Sequence, residues 1–462
     1  MKTLTAEESM HTCVRCGACR GVCPTLDITG READGPRGRV LMARSLIEGE
    51  IPVNQEIKQQ LDRCLLCSAC VDACPIDVQV PDIVMLAKEK VAAAVESSTA
   101  VATDLEKPSY PVRTFKDFFF DKILPNQKRL NQVGHLLWFY QKSGLQTVTR
   151  GLGIMKLFPE QLRLMERITP AVEAPRKRKP HPEFTARANT DAPAKARVAF
   201  FQGCIMDVMF RKTNENSIKL LAKTGFDVVT PTLQKCCGAL HHHSGKVDKT
   251  IELAKLNIEA FEEAEVDYII SNAGGCGAAL KEYVDLFRDD PEWLPRAKAF
   301  SAKIRDISEL IYEKGEMPET VGRGERVTYQ ASCHLQYVMK VKDAPAQLVK
   351  KVPETEYVEL ADKKLCCGSA GIYNLLQPKL ANDILDKKMK HVQQTDSAVL
   401  LTANPGCFLQ MKLGIHKEGM EEQIEAKHVV DYLVESIERA EGDQEENSKI
   451  IEMQGGDIHA KL

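Results

Sequence analysis

The chain has 462 residues, of which 44% are hydrophobic, and carries a formal net charge of -3. That length accommodates two to four domains with substantial cores, and the near-neutral balance gives no reason to expect a nucleic-acid partner. The 16 cysteines fall into ordered groups, and the opening Met1-Lys2-Thr3-Leu4-Thr5-Ala6-Glu7-Glu8 lacks the apolar core of a secretory signal, so a disulfide-stapled secreted protein is disfavoured and the cytoplasm is the expected address.

Residues 1–95 are organised by a C-x2-C-x2-C-x3-C-P run, Cys13, Cys16, Cys19, Cys23 and Pro24, which recurs at Cys64, Cys67, Cys70, Cys74 and Pro75. Three cysteines at spacing three place their sulfurs on one tight loop, and the Cys-Pro that follows sends the fourth sulfur to a second centre. On that geometry Cys13, Cys16, Cys19 and Cys74 hold one [4Fe-4S] cluster, and Cys64, Cys67, Cys70 and Cys23 hold another. A pair of zinc sites is the competing reading, since C-x2-C pairs also bind zinc. Zinc sites usually take one two-cysteine knuckle from each of two loops, whereas this pattern matches a two-cluster ferredoxin at every position.

The intervening residues predict helices rather than β-hairpins. Pro36 stands near a helix start, with Val40, Leu41, Ala43, Leu46 and Ile47 behind it, and Ile57 and Leu61 lead a second helix into the second motif. Arg15, Arg20, Arg37, Arg39 and Arg63 surround the cysteines, where positive charge stabilises a reduced cluster and raises its potential. Surface solvation or contact with a partner explains any one of them equally well.

Residues 96–195 read as a helical connector. Ser97-Ser98-Thr99-Ala100 and Lys107-Pro108-Ser109-Tyr110-Pro111 precede aromatic residues at Phe115, Phe118, Phe119 and Phe120, and helical spacing resumes through Leu130, Val133, Leu136 and Leu137. Leu136 to Tyr140 is far short of the roughly 20 apolar residues that cross a bilayer, and a helix buried in a core is preferred to an interfacial patch. Pro170, Pro175, the run from Arg176 to Pro182, and Pro193 predict an extended, solvated linker. Contact of its basic run with acidic lipid headgroups is the less economical alternative.

Residues 196–322 and 323–440 form an internal duplication. Cys204, Cys236-Cys237-Gly238 and Cys276 recur as Cys333, Cys366-Cys367-Gly368 and Cys407, displaced by 129, 130 and 131 residues. The apolar run from Arg197 to Phe201 parallels Arg326 to Gln330, and Tyr268 to Asn272 parallels Ala398 to Thr402, each delivering the chain to a cysteine. Strands alternating with helices predict a parallel sheet in each copy, with the cysteines at the edge where strands end and helices begin. Helix N-termini at that edge favour thiolate. Adjacent cysteines are poor ligands for one iron but can reach two metals of one cluster. Buried structural thiols and a redox disulfide compete with cluster binding. His241-His242-His243 and His334 are candidate ligands or proton carriers, of which at most one of the three consecutive rings faces a site. Residues 441–462 read as a polar, frayed tail.

These residues resemble the glycolate oxidase iron-sulfur subunit family, within the wider group of CCG-domain proteins that includes heterodisulfide reductase subunits, the iron-sulfur subunit of anaerobic glycerol-3-phosphate dehydrogenase, and lactate-utilisation proteins. The likeness lies in Cys13 to Pro24, Asp34-Gly35-Pro36-Arg37-Gly38-Arg39, Leu61-Asp62-Arg63-Cys64, Cys74-Pro75 and both Cys-Cys-Gly copies. It implies a multidomain α plus α/β protein: a helical two-cluster ferredoxin domain, a helical connector and two α/β cysteine-rich domains. The family motif often ends in C-x2-C, whereas Ala273 and Asn404 stand at the first of those positions here, which weighs against a five-cysteine noncubane cluster and against disulfide reduction.

The resemblance further implies an electron-transfer subunit of an oxidoreductase complex, with no catalytic residue of its own. It would relay electrons from an FAD subunit that oxidises a 2-hydroxy acid, glycolate first, towards a quinone or other membrane acceptor. Lactate or glycerol 3-phosphate complexes, or a catalytic heterodisulfide-reductase-like subunit, are the alternatives. Beyond the two [4Fe-4S] clusters, one or two more iron-sulfur clusters are expected in the duplicated region, with peripheral contact at the inner face of the cell membrane. No G-x-G-x-x-G after a strand and no P-loop occur, so flavin and hydride chemistry are expected on another chain.

Overall fold

The computed structural model describes residues 4–97, 118–362 and 365–456. The expectations placed on Ser98, Thr99 and Ala100, on Lys107 to Pro111, and on Phe115 lie outside them.

The N-terminal part is helical. Thr5 caps the helix Ala6–Thr12 through a capping box with Glu8, which satisfies two orphan donors reciprocally. Pro36 starts the helix Pro36–Glu48, whose fixed φ suits a first turn, and Gly49 at φ 79° ends it. Asn54 caps Gln55–Asp62, and Val80–Ser97 closes the layer. Val40, Ala43, Leu46, Ile57, Leu61, Ile83, Val84 and Ala87 fill one core between these helices.

Two sheets follow. The first has the order β1 (Phe184–Thr185), β3 (Asp227–Val229), β2 (Arg197–Phe201), β4 (Tyr268–Ser271), β5 (Ile304–Asp306), parallel except for β1 at the edge. The second has the order β7 (Glu356–Tyr357), β6 (Arg326–Gln330), β8 (Val399–Thr402), β9 (Glu425–His428), parallel throughout. The registers repeat: Ala199 lies opposite Ile269 in the first sheet, and Thr328 opposite Leu400 in the second. Central strands such as Val198–Phe201 and Val399–Thr402 are buried throughout, as parallel strands covered on both faces by helices must be. This is the expected duplicated α/β architecture.

One hydrophobic core runs through both repeats, from Val198 and Phe200 to Val434 and Ile437. The last helix, Val429–Gly456, crosses onto the first repeat, where Asp431 accepts hydrogen bonds from Thr213 Oγ1 and Asn216 Nδ2, both at 2.7 Å. That helix continues past Glu441, where a frayed tail was expected, because the Glu, Gln and Lys found there are good helix formers.

Two expectations for the connector are corrected. Helix Gln127–Lys142 buries only Leu130 and Gly134, while Leu136 and Phe139 face solvent, so Leu136 to Tyr140 is not a core segment. The proline-rich stretch is docked rather than free: His181 is buried against Asp207 at 2.9 Å, and Arg178 donates to Asn131 Oδ1 and to the carbonyls of Asp207 and Val208. Its charges found buried partners, which a linker composition cannot reveal.

Candidate metal centres

Both ferredoxin motifs fold the same way. Every position of the first recurs 51 residues later, and the two turns that need positive φ recur with it: Arg15 (58°) and Gly17 (87°), then Leu66 (52°) and Ser68 (62°). Three non-glycine residues held in the left-handed region store strain, which local geometry must justify. Here it turns the chain sharply between the cysteines of each C-x2-C-x2-C loop. Cys23 then precedes Pro24 at the first position of helix Pro24–Thr29 and is carried to the other motif.

The grouping shows in how the thiols act on one another. Burial pushes Cys19 upward, with added repulsion from Cys13, Cys74 and Cys16. Burial likewise pushes Cys70 well up, followed by Cys67, Cys64, Cys23 and Cys19. Cys74 is thus among the thiols that act on Cys19, and Cys23 and Cys19 are among those that act on Cys70. Cys23, Cys64, Cys67 and Cys70 also line one small cavity together with Arg39.

Of the five arginines, Arg39 is the buried one, at 2% exposure. Its guanidinium lies 3.9 Å from Cys23 Sγ and donates to Thr25 Oγ1 at 3.0 Å. Despite burial, the thiolates of Cys64 and Cys23 and the Asp34 carboxylate hold its pKa above the usual value. Arg20 and Arg37 pair with Glu32 near the surface, and Arg63 pairs with the buried Asp34 at 3.1 Å.

Each repeat gathers its four cysteines at the carboxyl edge of its sheet. Cys204 follows β2, Cys276 lies in the helix after β4, and Cys236-Cys237 occupy the loop after β3. Cys236 Sγ lies 3.3 Å from Cys204 Sγ. Cys237 is hydrogen-bonded by both Cys236 and Cys276, which drives its pKa well below the usual thiol range. In the second repeat Cys366 is in hydrogen-bond contact with Cys333 and Cys367, and Cys367 with Cys407. Backbone N–H groups of Gly238 and Gly368 point at Cys236 and Cys366, at 3.5 and 3.4 Å.

The donor sets suit iron-sulfur clusters. Among the described residues no three His, Cys, Asp or Glu side chains converge on one metal ion, whereas in a cluster each thiolate takes a different iron. A buried sulfur such as that of Cys67 gives up its proton only to a strongly positive partner, which bound iron would supply. Exposure is graded: Cys16 is open to solvent, while Cys23, Cys67, Cys204, Cys236, Cys237, Cys366, Cys367 and Cys407 are buried.

The cysteine groups are contiguous across the chain. Cys67 shares one buried apolar cluster with Cys366, Tyr337, Tyr373 and Leu65, and Cys333 packs against it. Tyr373 donates to the Arg63 carbonyl at 3.0 Å, and Asp72 pairs with Lys340 and Lys342, so the ferredoxin part is fastened to the second repeat. In the first repeat Phe120, Leu124 and Leu130 of the connector close over Cys204 and Cys236.

The histidines divide. His241 is buried and donates from Nε2 to the Phe120 carbonyl at 2.8 Å, a bond that pins the connector. His334 Nδ1 lies 3.4 Å from Cys333 Sγ, and its ring faces His243 at 5.6 Å. His242, His243 and His334 line a cavity of about 270 Å³ with Glu89, Glu282 and Arg288.

Sequence reasoning missed Lys388, fully buried, which donates to the Asp362 carbonyl at 3.0 Å and feels the charge of Cys367, Cys366 and Cys407. Burial lowers its pKa to about 8. The signal was present: Lys388 interrupts the apolar stripe Ala381, Ile384, Leu385, Met389, Val392 of helix Pro378–Gln393.

Residues 9–78 match the profile of a 4Fe-4S dicluster domain, residues 111–169 that of the glycolate oxidase iron-sulfur subunit linker region, and residues 198–281 and 327–412 that of a cysteine-rich domain. The chain is 41% identical over 433 residues to the probable glycolate oxidase iron-sulfur subunit of Bacillus subtilis (strain 168), covering 93% of this chain and 94% of that protein. It is 28% identical over 412 residues to the glycolate oxidase iron-sulfur subunit of Escherichia coli (strain K12), covering 88% and 90%. Lactate utilization protein A of Exiguobacterium sp. is 32% identical over 244 residues, 53% of this chain and 99% of that protein.

Proposed function

The chain belongs to the glycolate oxidase iron-sulfur subunit family, and from that membership we propose that it carries electrons from an FAD subunit oxidising glycolate towards a quinone or other membrane acceptor. Cys13, Cys16, Cys19 and Cys74 hold one [4Fe-4S] cluster in this reading, and Cys64, Cys67, Cys70 and Cys23 the other. The two CCG groups, Cys204, Cys236, Cys237, Cys276 and Cys333, Cys366, Cys367, Cys407, hold one or two more. Bound clusters supply one-electron carriers; the protein fixes their order and tunes them by charge and burial.

The observation that supports the reading is that Cys67 and Cys366 share one buried cluster, with Cys333 packed against it. That contact supports passage of electrons between the ferredoxin part and the second repeat. A lactate complex is the alternative, supported by the likeness to lactate utilization protein A.

The test is anaerobic co-purification with the flavin subunit, iron and acid-labile sulfide analysis, and a substrate panel with quinone as acceptor. Glycolate-to-quinone turnover that disappears in Cys67→Ser supports the conduit. A flavin subunit that reduces the native acceptor at full rate alone ends it, and zinc without sulfide does so equally.

A further inference from the structure

The connector is the apolar surface of this molecule. Of the 20 large hydrophobic side chains exposed among the described residues, ten lie between 133 and 162. Leu136, Leu152 and Leu157 are 70%, 72% and 85% exposed. They are patterned: Val133, Leu136 and Phe139 recur every third residue on helix Gln127–Lys142, and Leu145, Val148 and Leu152 follow at i, i+3 and i+7 through and just past helix Leu145–Gly151. Soluble proteins seldom leave so large an apolar patch without a use for it.

The patch is held rigidly. Helix Gln127–Lys142 lays its other side on the first repeat, where a Cβ on Gly134 would come within 2.4 Å of Arg178 Nη1 and 3.0 Å of Val208. The carboxylate of Glu166, on the returning helix Glu160–Ile168, accepts from Tyr140, Gln146 and Arg150, tying three helices together. The exposed side chains are therefore presented by a braced unit.

Charge identifies the occupant. Residues 127–168 contain seven Lys or Arg and two Glu, an excess of five positive charges in a chain whose net charge is -3. Leucine and phenylalanine interleaved with cations is the composition of helices that lie in a bilayer interface, with apolar side chains among the acyl chains and cations at anionic headgroups. No helix among the described residues is long and apolar enough to span a membrane, so the unit lies on the surface.

We propose that residues 127–162 dock the protein on an anionic lipid bilayer. This deepens the reading that electrons leave towards a membrane acceptor. The buried base of the same connector covers Cys204 and Cys236, so docking brings the first repeat's cysteine group, rather than the ferredoxin part, to the membrane.

The test is flotation of the anaerobically purified full chain with vesicles of phosphatidylcholine, alone or mixed with phosphatidylglycerol. The wild type should float with the anionic vesicles and release as salt is raised. The double variant Leu136→Glu, Leu157→Glu should lose about tenfold or more in partitioning, the scale of burying one leucine. Leu233→Glu, which alters an exposed leucine outside the connector, should bind as the wild type does. Equal binding by the double variant, or none by the wild type, overturns the proposal; so does loss of the flavin subunit in place of vesicles, which makes the patch a protein interface. Protein that transfers electrons in solution without binding vesicles refutes docking alone, and protein that binds vesicles without transferring electrons refutes the conduit alone.

Discussion

The side-chain oxygen of Asn404 accepts a hydrogen bond from the backbone N–H of Gly275 at 3.0 Å, so the second repeat caps the helix that carries Cys276 in the first. The amide nitrogen of Asn404 points at Cys407 Sγ, 3.6 Å away. A position that holds cysteine in many CCG motifs serves here as a tie between the two cysteine groups. Asn404→Ala removes both contacts and should cost about 1–2 kcal/mol, the worth of a lost helix cap. Asn404→Asp keeps the acceptor but not the donor to sulfur, and should recover most of the thermal unfolding midpoint. Equal losses in both variants would show that the contact with Gly275 is not the stabilising one.

Arg39 is a buried cation beside Cys23 and Cys64. Positive charge there favours the reduced form of whatever those thiolates hold. Arg39→Gln should lower the midpoint potential of that centre by roughly 50–100 mV, from one charge at close range in an effective dielectric near 20. Spectroscopic redox titration reads this directly, and Arg20→Gln, at the surface, provides the control.

The Asp306 carboxyl caps helix Ile307–Lys314 and is buried, which raises its pKa from 3.8 to about 7. The folded chain keeps that proton where the unfolded chain has released it. Asp306 therefore subtracts stability as pH rises from about 4 to about 7, and subtracts a constant amount above that. Asn keeps the accepting oxygen without the charge. The unfolding midpoint of Asp306→Asn should gain on the wild type across this window, and a constant difference between the two would refute the assignment.

Gly368 and Gly238 follow the paired cysteines at φ 88° and 80°. A Cβ on Gly368 would stand 2.6 Å from the carbonyl oxygen of Ala381, whereas one on Gly238 would meet the Thr250 methyl at 3.0 Å. Both alanine variants carry left-handed strain of about 1–3 kcal/mol, but only Gly368→Ala collides with backbone. It should give the lower soluble yield and the lower iron content, and the reverse order would show that the second loop can relax.

The cysteines and the repeated strands were legible because their spacing is itself the structural requirement. The 51-residue recurrence even carried the positive-φ turns at Leu66 and Ser68, which composition gives no reason to expect. Lys388 was overlooked because a lysine in a helix usually reads as solvated, and only the apolar residues on its own face argued otherwise. Leu136 and Phe139 misled for the opposite reason: apolar spacing shows that a helix has a hydrophobic face, not what that face meets. The docking of His181 on Asp207 depends on a partner 26 residues away, beyond the reach of local pattern.

Cys16 lies open to water, whereas six of the eight cysteines in the repeats are enclosed. Dioxygen therefore meets the sulfur of Cys16 more readily than those six. A preparation handled in air should bleach in sequence, its amino-terminal centre first and the contents of the repeats last. Half-bleached protein would retain the iron held by enclosed sulfurs after losing that held beside Cys16.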